Sequence, residues 1–368
     1  MLAAAMARKP KSGEGPVLDA PLPRMLMEAI ASAPDDDAPR LVAADWFEEH
    51  GQPERGELIS VQCRLEKLDP ASPEREPLVE RMRALLRELK PGWKPSLFNL
   101  EVGLVRGFPG SVVGDPSDIL AAAQELAQLA LPIDRVGLSH VLGTSDLEAL
   151  VRTPFWAGVR VLHLDDLDDV AAPALFESGK MERIEHLVVE RAEALDRTSW
   201  ALLSRADLLP ALRSLRLHHA NAAQWIRNDP ALPKLELLGL ENCELRHEDL
   251  KRLTRAPVWQ RLDTVGVLLT PLFAEGAGVI AASAPARLRA LELSWCKLGP
   301  AGLRALAQSE ALHLEVLKLR HDSLSSAAVT QLIDAPSMQK LQWLDVRGNT
   351  LDAKTVTELK ARFPHVLA

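Results

Sequence analysis

LELLGLENCEL (235–245), LRALELSWCKL (288–298), LEVLKLRHDSL (314–324) and LQWLDVRGNTL (341–351) repeat one eleven-residue pattern, L-x-x-L-x-L-x-x-N/C-x-L, with Asp322 at the N/C place of the third. The alternation in its middle puts every second side chain on one face, the signature of a short strand with one side buried. Cys243, Cys296, Asp322 and Asn349 stand where the chain turns out of that strand. A side chain there points inward and supplies the hydrogen bonds that the backbone of the turn lacks. Asn does this well, whereas Cys packs mainly as a small hydrophobe.

Five further segments carry the first half of the pattern: IDRVGL at 133, VRVLHL at 159, IEHLVV at 184, LRSLRL at 212 and LDTVGV at 262. The nine starts are spaced 26, 25, 28, 23, 27, 26, 26 and 27 residues apart. A near-constant period in the twenties predicts a stacked repeat array in which each unit buries its apolar face against its neighbours. Stretches such as GPAGLRALAQS (299–309) and SSAAVTQLIDA (325–335) follow the strands with helical spacing. Pro154, Pro230, Pro257 and Pro336 precede the next unit by five residues, where they stop the helix. Strand–helix units of this kind resemble the ribonuclease-inhibitor type of leucine-rich repeat. That resemblance implies an α/β horseshoe, with parallel strands on the concave face and helices on the convex face.

The resulting plan is a disordered tail over 1–20, a helical module over 21–90, an N-terminal cap over 91–130 and a solenoid of about nine units over 131–368. The cap reads as a hairpin, NLEVGLVRGFPGSVVG (99–114), turning near Arg106–Gly107, followed by a helix over 116–130. At the other end the last unit finishes in TVTELKARFPHVLA (355–368), where Lys354, Lys360 and Arg362 supply a solvated outer face.

In the N-terminal module, four segments have helical character: PLPRMLMEAIASA, DDAPRLVAADWFEEHG, PERGELISVQCRLEKLD and SPEREPLVERMRALLRELK. Asp35 to Asp37 are placed to favour a helix start, and Gly51 to close that helix. The string PDDDAPRLVAADWFEEHGQPERGELISVQCRLEKL (34–68) resembles the short bacterial repeat-companion domain that precedes many leucine-rich repeats. Ala43 and Phe47 stand where that domain usually has Tyr and Leu. The resemblance implies architecture and no activity. Arg40 and Arg55 are expected to pair with helix carboxylates, with Trp46 packed between the helices.

The 368 residues carry a formal charge of −8 with pI near 5.8 and no basic block, which argues against nucleic acid or an anionic membrane as the main partner. No apolar run approaches membrane-spanning length. Three dispersed cysteines form no disulfide framework and fit a reducing compartment. A cytoplasmic location is the expectation. No phosphate-binding loop, dinucleotide fingerprint, HExxH, GxSxG or CxxC pair occurs, so we expect no enzyme activity, no cofactor and no metal. Cys63 reads as a buried structural thiol.

In each unit, positions 3, 5, 7 and 8 point away from the core. A polar patch of His163, His186, Glu190, His218, His219 and Glu241 falls on them in the first half of the array. Strand spacing places His218 between Glu190 and Glu241, and His163 near Asp165 and Asp166. The patch reads either as a solvated face or as a recognition surface whose carboxylates raise histidine pKa values. Further along, Leu237, Leu268, Leu269, Trp295 and Trp343 occupy outward positions, followed by Lys318, Arg320 and Arg347. Exposed apolar and aromatic groups beside a basic rim are what a protein-binding site carries; the competing reading is that VLLTPLFAEG (267–276) folds over them. The expected function is a non-enzymatic scaffold holding a protein partner, whose identity the sequence does not give, on the concave face. The alternative is a regulator of an enzyme, an inhibitor or GTPase-activator-like protein.

Overall fold

Each L-x-x-L-x-L segment forms a strand in the computed structural model, which describes residues 22–33, 35–68, 72–88, 100–128 and 132–368. The expected tail over 1–20, Pro34 and the start of the cap over 91–99 lie outside the described residues. The chain divides into two compact units: the described residues of Met1–Leu68, Glu74–Gly137 and Thr153–Val159, and those of Asp69–Pro73, Leu138–Arg152 and Arg160–Ala368.

The first unit opens with helices α1 (Arg24–Ser32), α2 (Ala38–Glu49), α3 (Pro53–Lys67) and α4 (Arg75–Glu88). Strands β1 (Glu101–Val105) and β2 (Phe108–Gly114) pair antiparallel around Arg106 (φ 48°) and Gly107 (φ 79°). Two consecutive left-handed residues make the turn whose twist matches a hairpin. Gln62 of α3 clasps it: its side-chain oxygen accepts from the Gly107 amide at 2.6 Å and its amide donates to the Leu104 carbonyl at 3.3 Å. Helix α5 (Pro116–Gln128) follows, and then β3 (Arg135–Leu138).

Asp35 to Asp37 precede α2 as expected, and Asp36 accepts from the Ala38 amide at 2.9 Å, but the Asp37 side chain makes no cap bond. Its carboxylate, 3% exposed, is held by Lys67 at 3.0 Å and by Arg106 at 3.1 Å, itself 7% exposed. Burial alone would raise the Asp37 pKa, but those two partners outweigh it and leave it lowered. Arg40 donates to the Asp36 carbonyl at 2.7 Å, and Arg55 lies over the Phe47 ring at 4.0 Å. Trp46 stacks on His50 at 4.0 Å and meets Phe47 edge-on.

The second unit is a leucine-rich-repeat solenoid, preceded in the chain by the small helical module. Its strands are β4 (Val161–Asp165), β5 (His186–Glu190), β6 (Ser214–His218), β7 (Leu237–Glu241), β8 (Thr264–Leu268), β9 (Ala290–Glu292), β10 (Val316–Lys318), β11 (Trp343–Asp345) and β12 (His365–Leu367). Neighbours pair parallel and in register, so equivalent repeat positions face one another from β4 to β12. The leucines at positions 1, 4 and 6, such as Leu235, Leu238 and Leu240, are fully buried. Each such side chain contributes about 2 kcal/mol relative to exposure. Connections run through short helices, for example Ala222–Arg227 after β6 and Gly299–Ala307 after β9. Pro154 and Pro336 do more than end a helix, since each opens a 3-10 turn, Pro154–Gly158 in the first unit and Pro336–Met338 in the second.

The C-terminal segment has the expected solvated outer face, with Lys354, Lys360 and Arg362 exposed, and adds a strand. After Ala353–Arg362 the chain re-enters the sheet as β12, with Phe363 buried where other units carry their first leucine.

Two ladders tie the units together beyond the strands. At position 8 every unit takes a left-handed backbone: His140, Asp166, Arg191, His219, Asn242, Leu269, Trp295, His321 and Gly348, with φ between 47° and 73°. From Asp166 to His321 that residue's amide donates to the position-7 carbonyl of the next unit, as Asn242 does to Leu268 at 2.9 Å and Trp295 to Arg320 at 2.8 Å. At position 9 the side chains point inward. Asn349 accepts from the amides of Asp322 and Leu324 and donates to the carbonyls of Leu319 and Val346, at 2.7 to 3.1 Å. Asp322 accepts from the Cys296 amide at 2.8 Å, Cys296 donates to the Val267 carbonyl at 3.0 Å, and Thr270 accepts from the Cys243 amide at 3.1 Å. Earlier units place Leu167, Ala192 and Ala220 there, and pack without those bonds.

Candidate functional site

Positions 3, 5 and 7 of the second unit form the exposed face of its parallel sheet, because positions 4 and 6 are committed to the core. Strands β4, β5, β7 and β8 alternate half-buried and buried residues in that order.

In the polar half, His163 and Glu190 are hydrogen-bonded at 3.0 Å. His218 lies in register between Glu190 and Glu241, 3.8 Å from Glu241. The expected rise in its pKa does not occur: burial lowers it and outweighs the two glutamates, and Arg216 lowers it further. Asp165 and Asp166 bond Arg191, the latter at 3.0 Å, while His163 turns to Glu190. His186 is half-buried on β5, and His219 Nδ1 accepts from the Asn242 amide at 2.7 Å. Among the described residues no group of three or more His, Cys, Asp or Glu is placed to hold a metal ion.

The apolar half is open. Leu269 is 44% exposed and Trp295 is 48% exposed, so the loop after β8 does not cover them. Both stand at left-handed position 8, which swings them clear of the strand row. Trp295 stacks on His321 at 3.9 Å between centroids, with rings 18° from parallel. Gly348 makes that stack possible, since a Cβ built there would overlap the His321 ring. Leu237 and Leu268 are half-buried beside this row, on β7 and β8.

Two expectations are corrected. Trp343 is 5% exposed: at position 3 its small neighbours Ala290 and Val316 let the indole lie down against them, and Leu367 and His365 of β12 pack on it. It offers no docking surface. The cations of the basic rim are each paired with a carboxylate. Lys318 pairs with Glu292 at 3.8 Å, Arg320 with Glu292 and with Asp345 at 3.8 Å, and Arg347 with Asp345 at 2.6 Å. The sequence reading missed Glu292 and Asp345, which sit at position 5 in register on either side of Lys318.

The three thiols carry no nucleophilic signal. All are buried, and burial pushes Cys63 up to about 12, Cys243 up to about 11 and Cys296 further still. No helix among the described residues is long and apolar enough to cross a membrane.

No protein-family model matches the sequence, and no curated protein matches it. Among solved structures, the Rad7 and Elc1 complex in yeast is similar at TM-score 0.41 and 15% identity, over 68% of this chain and 68% of that one. A protein from Bacteroides fragilis gives TM-score 0.41 at 13% identity over 68% and 80%, and an internalin from Listeria monocytogenes 0.36 at 15% over 68% and 76%. Likeness at that level carries no argument, and the repeat architecture rests on this chain's own strand register.

Proposed function

We propose that this protein is a non-enzymatic scaffold that docks a protein partner on the exposed strand face of its repeats, centred on Leu237, Leu268, Leu269 and Trp295. The observation that carries this reading is the pair Leu269 and Trp295, exposed in successive units and held outward by the backbone itself. Large apolar groups fixed in place lose little freedom on binding, and Trp is favoured at the centre of interfaces. The ribonuclease-inhibitor-like spacing of the units, the repeat-companion likeness of residues 34–68 and a cytoplasmic location belong to the same reading. Affinity purification with quantitative mass spectrometry tests it, comparing wild type with a Leu268→Asp/Trp295→Ala variant of unchanged unfolding transition. Loss of specific partners supports docking on this face; an identical partner set rules the face out.

A further inference from the structure

Between β6 and β9 the exposed sheet face carries a bare stretch. Position 5 is Gly239 on β7 and Gly266 on β8, paired in register, with Arg216 preceding them on β6 and Glu292 following on β9. Leu237 and Thr264 flank this floor on one side, Glu241 and Leu268 on the other. A Cβ added at Gly266 would meet only a Leu268 methyl at 3.4 Å, so the floor there is open. Gly239 has a different use. The Arg216 stem leans across it, close enough that a Cβ would lie 3.1 Å from Cγ.

Charge divides the two ends of this trough. Glu292 is taken by Lys318 and Arg320, and Glu241 faces His218. On this face from β4 to β11 the lysines and arginines at positions 3, 5, 7 and 8 are Arg191, Arg216, Lys318, Arg320 and Arg347. All but Arg216 stand in ion pairs with carboxylates. Arg216 is exposed and has no hydrogen bond or ion pair among the described residues. An arginine fork without a partner, leaning over a side-chain-free floor between leucines, is complementary to a carboxylate carried next to a bulky apolar group.

We infer that the trough over Gly239 and Gly266 is a recognition slot for an acidic peptide segment, its carboxylate taken by Arg216 and an adjacent large apolar side chain seated on Gly266 between Leu237 and Leu268. The inference rests on the docking reading above and names the chemistry of the partner.

The full chain, immobilised, is used to select from a displayed library of random short peptides. Enrichment of Asp or Glu beside Phe, Trp, Leu or Met is expected. The selected peptides should lose affinity about tenfold or more on Arg216→Ala, the worth of one charge-assisted bond. Gly266→Val fills the floor with a residue that favours strand, so it should abolish binding while the unfolding transition stays at or above wild type. Arg216→Glu should select Lys- or Arg-bearing peptides in place of acidic ones. Selected peptides without acidic enrichment, or with undiminished affinity for Arg216→Ala, overturn the inference, as does a library that yields none. If such peptides still lose binding on Trp295→Ala, docking on the sheet face stands and only the slot falls. Equal binding to every variant removes both.

Discussion

Asp322 occupies the inward position 9 that Asn349 fills in the next unit, but its side chain cannot do the same work. Asn349 uses its oxygen for two amides and its nitrogen for two carbonyls. Asp322 matches the first half, accepting from Cys296 and Leu298, while its second oxygen is buried without a partner. Burial raises its pKa from 3.8 to about 6. Two units correspond to roughly 3 kcal/mol of preference for the neutral acid. The folded state therefore binds the proton more tightly than the unfolded state, and this contribution to stability is present below the unfolded value and lost as pH rises through about 6. Asp322→Asn keeps both acceptor bonds, adds a donor where Asn349 has one, and cannot ionise. Its advantage over wild type should grow by about 2 kcal/mol between about pH 4.5 and about pH 8. Urea unfolding followed by far-UV circular dichroism across that range measures it. A variant less stable than wild type at the upper end, or a difference that does not change with pH, refutes the reasoning.

Three other outcomes follow from the same geometry. Gly348→Ala should destabilise by about 2 kcal/mol, from left-handed strain at a residue with a Cβ and from displacement of the His321 ring. In a His321→Ala background only the strain remains, so a double-mutant cycle should show coupling of about 1 kcal/mol, and a cost identical in both backgrounds contradicts the stack. Asp37→Asn leaves the buried Arg106 without its carboxylate and should cost about 3 kcal/mol or more, read by differential scanning calorimetry. Because the Asp37 pKa is lowered on folding, its contribution is present above the unfolded value of about 3.9 and lost as pH falls through the folded one, a trend the variant should lack. Cys63, Cys243 and Cys296 should resist a thiol reagent at neutral pH until denaturant is added; prompt labelling of the native protein would place them outside the core.

The repeat was legible in sequence because each strand must bury positions 4 and 6, and leucine there is read directly from L-x-x-L-x-L. The strand β12 was not legible: Phe363-Pro364 replaces the usual first two residues, so the segment lacks the pattern while still filling the register. Trp343 stands at an outward position by period alone. What buries it is the smallness of Val316 and Ala290, one and two strands away, a property of neighbours far apart in the chain. Lys318, Arg320 and Arg347 read as a rim because charge along the sequence is not charge across the sheet, where Glu292 and Asp345 intervene. The left-handed row was hidden for a related reason. Only Gly348 announces it; from Asp166 to His321 that conformation goes with the amide each residue donates to the next unit. Arg216 was passed over because its significance lies in two missing side chains on the adjoining strands.

The units differ in length from 23 to 28 residues, yet from the first apolar position to the left-handed residue the count never changes. Every insertion is absorbed on the helical side. The strand side is thereby a graduated ruler, with marks about 4.8 Å apart whatever happens behind it. Side chains on it can be exchanged one graduation at a time, and the helical side can lengthen or shorten, without altering the distance between any two marks that a partner has come to read.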